Sequence, residues 1–298
     1  MKNLFSQIKT RIFKNKLVTL IVAGAFCVVV IVLIILISGS SARKKVPVVL
    51  GSGLVLEDEY WTHNDKGYPF YDKEGSQNIY GIDISEWVED IDFRKVRSYG
   101  MDYVILRVGY RGYETGKFVL DNNLADYLKQ ASAAGFQIGA YFVSQAIDEQ
   151  EAVEEAEFVL EHVKGYPIDM PIYIDLEEVY DTARTDHLTR EGYTRIVKAF
   201  IDCLKSNGYH GGVYANESWL LEKLDLSQLE EYDLWLAKYT DTPGETLAIN
   251  MWQFSNEGLV DGCDMWVDLN VRVVPDEEPD AESDTDTQAS QETEQGES

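Results

Sequence analysis

Between residues 79 and 274 the chain alternates short apolar runs with longer amphipathic stretches. The runs Gly81–Ile84, Tyr103–Val108, Gln137–Val143, Pro171–Leu176, Gly211–Tyr214, Leu234–Ala237, Met251–Phe254 and Val267–Leu269 have the length and the β-branched and aromatic content of buried strands. Between them, Tyr193, Ile196, Val197, Phe200, Ile201 and Leu204 repeat at helical spacing. Ala152, Ala156, Val159, Leu160 and Val163 do so more loosely, and Leu124, Tyr127, Leu128 and Ala131 form a third stripe that ends before Gly135. Eight strands that alternate early with helices predict an α/β fold, a TIM-like (β/α) barrel. The late strands lie too close in sequence for full helices, so the barrel is expected to be irregular with a helix-poor second half.

The flanks are patterned differently. Leu17–Ile37 is uncharged and almost wholly apolar, long enough at about 1.5 Å per residue to cross a bilayer core of roughly 30 Å. It predicts one transmembrane helix over 17–38, ahead of the barrel. A cleaved signal peptide is the alternative, because Ser40-Ser41-Ala42 resembles a cleavage site. Lys2, Lys9, Arg11, Lys14 and Lys16 precede this stretch, against Arg43, Lys44 and Lys45 after it. That bias puts residues 1–16 in the cytoplasm and everything beyond residue 45 outside the cell membrane. Residues 39–78 read as a stalk, or as a strand pair packed on the edge of the domain. The tail 275–298 has too little apolar surface to offset chain entropy and is expected to be disordered.

Charge narrows the partners. The net charge is −26, although residues 1–45 carry only basic groups and the tail only acidic ones. So acidic a middle argues against nucleic acid, whose phosphates it would repel, and against direct adsorption to anionic lipid. Cys27, Cys203 and Cys263 form no Cys-x-x-Cys or Cys/His cluster, so a zinc site is not expected, and no residue pattern calls for a cofactor. A Cys203–Cys263 disulfide stays open.

In a barrel, chemistry gathers where the strands end. Those ends carry Asp83, Arg107 and Tyr110, Tyr141, Asp175 and Glu177, Tyr214, Trp235 and Tyr239, Gln253, and Asp268. Strand residues two apart share a face, so Asp175 and Glu177 should point into one cleft. Carboxylates held close cannot both ionise freely, and the one that keeps its proton can protonate a glycosidic oxygen while its ionised neighbour steadies the positive charge on the sugar. Glu177, nearer the strand's end and the open cleft, is the expected acid, and Asp175 the stabiliser. The aromatic residues Tyr110, Tyr141, Trp235 and Tyr239 are candidate platforms for sugar rings, alongside Arg107, Tyr214 and Gln253 as further substrate contacts.

Several ordered blocks then resemble one family. Tyr80-Gly81-Ile82-Asp83-Ile84-Ser85, Asp102 to Arg107, Pro171 to Glu177, Trp235 to Tyr239, Trp252-Gln253-Phe254 and Val267-Asp268-Leu269-Asn270 are similar, in order, to the glycoside hydrolase family 25 muramidases, the Chalaropsis-type lysozymes. The resemblance covers residues 80–272. It implies a catalytic domain over 79–274 that cuts the β-1,4 bond between N-acetylmuramic acid and N-acetylglucosamine in peptidoglycan strands. It implies Glu177 as acid, and Asp175 orienting the substrate's own acetamido group as nucleophile. Asp83 and Asp268 complete the catalytic set. Glu86-Trp87-Val88 lacks the Gln that many members carry, and Tyr141-Phe142-Val143 stands where many have Tyr-His-Phe. Both departures touch the cleft rim. Two other readings remain: a chitinase-like hydrolase, although the acidic row expected upstream of Asp175 is missing, and a non-catalytic glycan-binding or scaffold protein of the wall. Protein partners are not legible in the sequence.

Overall fold

A computed structural model describes residues 53–179 and 182–276. The chain enters through a two-stranded hairpin, β1 (Trp61–His63) and β2 (Pro69–Tyr71), and continues into β3 (Ser76–Ile84). Helix α1 (Phe93–Tyr99) leads to β4 (Tyr103–Arg111) and the short β5 (Phe118–Leu120). Then come α2 (Leu124–Ala134), β6 (Gln137–Val143), α3 (Glu149–Val163), β7 (Ile172–Asp175) and α4 (Arg190–Ser206). The last part holds β8 (Gly211–Asn216), α5 (Glu217–Lys223), β9 (Asp233–Ala237), β10 (Met251–Gly258) and β11 (Val267–Pro275).

Local chemistry accounts for the helix ends. Asp92, Asp148, Thr189 and Asn216 each accept a backbone N–H of the first turn of α1, α3, α4 and α5, satisfying donors that have no partner within the helix. Gly100 and Gly135 close α1 and α2 in the left-handed region. The α4 stripe read from the sequence is buried along its whole length.

Eight strands close a barrel in the order β3-β11-β10-β9-β8-β7-β6-β4, with β3 pairing β4, and β5 lies against the end of β4. Strands β3, β4 and β6 to β10 run parallel; β11 runs antiparallel to both β10 and β3. The expectation of a TIM-like (β/α) barrel behind one transmembrane helix is corrected here. The sheet is mixed, five α-helices occur among the described residues, and none of these is long and apolar enough to cross a membrane. Antiparallel closure has a simple cause. A parallel return needs a crossover of about a dozen residues or more, and the link from Gly258 to Val267 is shorter than that. Leu17–Ile37 and the acidic tail beyond residue 276 lie outside the described residues.

Outward-facing residues such as Ile82, Val104, Leu106, Ile138, Ile172 and Val213 pack beneath the helices. No helix follows β9 or β10, and the hairpin takes over that wall. Trp61 packs edge-on against Trp252 at 5.1 Å between ring centroids, and Tyr68 meets Phe254 and Tyr80 at 5.7 and 5.8 Å. Tyr80 donates its hydroxyl to the Pro69 carbonyl at 2.7 Å. Much of the segment expected as a stalk or edge strand pair is thus wrapped onto the barrel.

Inside, alternate residues of each strand stack in layers. Tyr103 and Tyr173 fill the lower layer because the facing strands carry glycine. A Cβ on Gly81 would lie 2.3 Å from the Tyr103 ring, and one on Gly212 would lie 2.6 Å from Tyr173. Cys203 and Cys263 are both free thiols, so the disulfide left open above does not form.

Candidate active site

The antiparallel β11 brings its first residues to the same rim as the last residues of the parallel strands. Asp268 therefore sits directly across from Asp83, its backbone partner in register. Asp83 is buried and accepts Gln253 Nε2 at 2.9 Å and Asn270 Nδ2 at 2.7 Å, both on Oδ2. The orientation of these two amides is set from their other ends. Gln253 Oε1 accepts the hydroxyls of Tyr214 at 2.9 Å and Tyr239 at 2.8 Å, and Asn270 Oδ1 accepts Trp235 Nε1 at 2.8 Å. Both amides must then present N–H to Asp83, and such donors favour its ionised form.

Burial raises the Asp83 pKa, and hydrogen bonds from Asn270, Gln253 and Asp268 oppose the rise. Asp268 has fewer such donors. Burial, then the Asp83 charge and the hydrogen bond to it, push its pKa up to about 9. Within this pair the proton rests on Asp268.

Asp175 closes β7 and is buried, and its Oδ1 has no hydrogen-bond partner. Burial lifts its pKa well above the usual carboxylate range. The charges of Glu177 and Asp83 add to this, and Arg107 pulls the other way. Glu177 lies past the end of the strand and is open to solvent. Its pKa is raised as well, first by the protein walls around it and then by Asp83. The side chain is exposed at the rim, yet surrounded by enough protein to be partly desolvated. Glu177 raises Asp175 with no matching effect in reverse, as expected when the deeper group holds its proton while the outer one ionises.

The other sequence-selected residues divide by depth. Tyr239 is 51% exposed, while Tyr110 and Tyr141 are half-buried. Burial raises the Tyr141 pKa, and Asp83 raises it further, which places this ring among the rim carboxylates. Tyr214 is buried, with its hydroxyl on Gln253. Trp235 is corrected as a sugar platform. It is 1% exposed and wedged against Tyr214, Tyr173 and Tyr141 at 4.4, 5.0 and 6.2 Å, so it has no face to offer a ligand and instead supports the floor from below.

Arg107 is also more tied down than a free substrate contact would be. Its Nε reaches Asp121 at 2.9 Å and its Nη2 reaches Glu86 at 3.0 Å, with the guanidinium 5.7 Å over the Tyr110 ring. The sequence reading missed Asn270, Glu86 and Asp121. Asn270 was accessible to the same alternation argument, two positions after Asp268. Nothing local marks Asp121. Trp87 and Trp266, 72% and 59% exposed, are further aromatic residues close in the chain to Asp83 and Asp268. Among the described residues no group of three or more His, Cys, Asp or Glu could hold a metal ion.

A barrel whose rim collects carboxylates of unequal proton affinity, flanked by tyrosines, defines the class of glycoside hydrolases. Residues 82–263 match the glycosyl hydrolases family 25, and the chain belongs to that family. It is similar to the modular autolysin LytC from Streptococcus pneumoniae, solved in complex with a synthetic peptidoglycan ligand, with 27% identity and a TM-score of 0.59. That likeness covers 74% of this chain and 52% of the LytC chain, so the chain spans about half the length of this relative. A family 25 glycosyl hydrolase from Bacillus anthracis shares the fold, with 22% identity, a TM-score of 0.55, and coverage of 72% and 94%. The uncharacterized protein YegX of Escherichia coli strain K12 is 27% identical over 199 residues, 66% of this chain and 70% of its own.

Proposed function

We propose that this chain is a peptidoglycan hydrolase that cleaves the β-1,4 bond between N-acetylmuramic acid and N-acetylglucosamine, with Glu177 as general acid. The observation that carries the reading is the buried Asp175 Oδ1, an acceptor without a donor, beside an acid that opens to the cleft. An unpaired buried acceptor costs stability, and a substrate N–H would satisfy it. The acetamido group of an N-acetylated sugar supplies that N–H. A hydrogen bond to its charged form lowers the Asp175 pKa, while sugar filling the cleft removes water from Glu177 and raises its pKa. Substrate thereby reverses the order of proton affinity, leaving Glu177 protonated for the glycosidic oxygen and Asp175 charged.

The chemistry then runs in two steps. Glu177 protonates the leaving oxygen while Asp175 accepts the acetamido N–H, and the acetamido oxygen closes on the anomeric carbon. Glu177 next takes a proton from the water that opens the resulting ring. Asp83, with the pair's proton on Asp268 and two amide donors on its Oδ2, holds the negative field that favours a positive sugar. Tyr239, Tyr141 and Tyr110 line the path of the glycan.

We place this domain outside the cell membrane, held there by the N-terminal segment, because Lys2, Lys9, Arg11, Lys14 and Lys16 before Leu17 outnumber Arg43, Lys44 and Lys45 closely after Ile37. The polymer would then lie directly above the anchor.

The test is the release of reducing ends and muropeptides from purified peptidoglycan by the full chain. New N-acetylmuramic acid ends are expected, and Glu177→Gln should lower the rate by about 10²–10⁴. Undiminished activity of that variant removes the acid. New N-acetylglucosamine ends overturn the bond assignment. Binding without turnover would leave the scaffold reading.

A further inference from the structure

One wall of the groove between the N-terminal hairpin and β10 is built from residues that precede the family match. It holds about 520 Å³, within the range of small-ligand sites, and is lined by His63, Lys66 and Tyr68 on one side and Asp241, Glu257 and Leu269 on the other. It adjoins the reaction rim through the backbone. Leu269 follows Asp268 and pairs with Ser255, and Asp241 lies two residues beyond Tyr239. Trp61, Pro69 and Tyr71 carry much of the hairpin's packing, and in its turn Lys66 donates to the Tyr99 carbonyl at 2.5 Å.

That turn is rigid. Asn64 Oδ1 accepts the N–H groups of Lys66 at 2.9 Å and Tyr68 at 3.1 Å, and Gly67 takes the positive φ of 76° that the reversal requires. Lys66 is held with its ammonium 3.4 Å from the centre of the Tyr99 ring, yet stays exposed, as does His63. A lysine and an imidazole so placed stand out on a chain with a net charge of −26, and Asp241 and Glu257 line the same groove.

We infer that this groove binds the short peptide stems borne by the glycan, pairing a peptide carboxylate with Lys66 and His63 and a peptide amine with Asp241 and Glu257. The inference rests on the peptidoglycan reading above. A neutral sugar would need no cations here, and a purely anionic ligand would be repelled by Asp241 and Glu257. A peptide carrying both charges suits both walls, and its attachment to a sugar on the rim would confine it near the groove.

The test compares two substrates in the full chain: glycan bearing its peptides, and glycan stripped of them by an amidase. Lys66→Gln and the double variant His63→Asp/Lys66→Glu are used, with thermal melting to confirm folding. For the double variant, KM on peptide-bearing glycan should rise about 3–10-fold, with kcat and bare-glycan turnover unchanged, and the difference should shrink in high salt. Lys66→Gln should move the same way by less. Equal changes on both substrates, or no change on either, overturn the inference. If the wild-type chain cuts neither substrate, the proposed function falls. The groove is then decided by titration with the free stem peptide, where saturable binding lost in the double variant supports it and absence of binding ends it.

Discussion

Two layers inside the same barrel bury carboxylates and treat them in opposite ways. In the lower layer, Asp233 and Arg272, both almost fully buried, meet at 3.3 Å, and Tyr173 donates its hydroxyl to Asp233 at 2.6 Å. Burial raises the Asp233 pKa and the Arg272 charge opposes it. In the upper layer Asp83, Asp175 and Asp268 form no ion pair with a cation among the described residues, and Arg107, which lowers Asp175, is itself engaged by Asp121 and Glu86. Protons and amide donors balance the charge there. The lower layer keeps the barrel closed, while the upper layer keeps its carboxylates responsive to a ligand. A fully compensated ion pair could not change its protonation during a reaction.

Substitutions can break this contrast. Glu177→Gln, with the largest effect on rate, should leave the thermal midpoint unchanged or raised, because it removes a charge that Asp175 and Asp268 both feel. A fall of several degrees would mean that the upper layer is structural as well. In the lower layer, Arg272→Met should cost about 3–5 kcal/mol of stability in urea titration by stranding Asp233. Pairing it with Asp233→Leu should recover much of that loss. Failure to recover would show that Arg272 acts through more than its charge.

Smaller effects test the boundary between the layers. Trp235→Phe removes the donor to Asn270 Oδ1 and should cost about 1–3 kcal/mol, with a lower kcat because the amide that orients Asp83 can turn. An unchanged kcat would remove Asn270 from the positioning chain. A further expectation concerns pH. Asp268 is raised from 3.8 to about 9, so the folded state holds its proton more tightly than the unfolded chain does. Its stabilising contribution is full below pH 4 and declines as pH rises toward 9. Asp268→Asn should flatten that decline, measured as unfolding free energy at pH 5 and pH 8. An unaltered slope would place the shared proton elsewhere.

Residue-level patterns made much of this legible. The eight apolar runs each overlap a barrel strand, and their ends carry Asp83, Asp175 and Gln253, while alternation bears on Asp175 and Glu177 alone. Asp268 reached the right rim for the wrong reason. It was read as the end of a parallel strand and is the start of an antiparallel one. The hairpin was harder to see because its value lies in a wall that has no helix of its own. Trp235 failed as a surface platform because inward alternation is common to residues at the mouth and residues in the floor.

What the sequence determined by itself is therefore periodic: which residues extend, which coil, and which side of each element a carboxylate occupies. Backbone geometry repeats every two or every 3.6 residues, and that information is local. Strand direction at the closure, the depth of Trp235, and the division of protons among Asp83, Asp175, Asp268 and Glu177 were decided only by the tertiary structure. They depend on distances between segments far apart in the chain, and on how much water the assembled walls exclude.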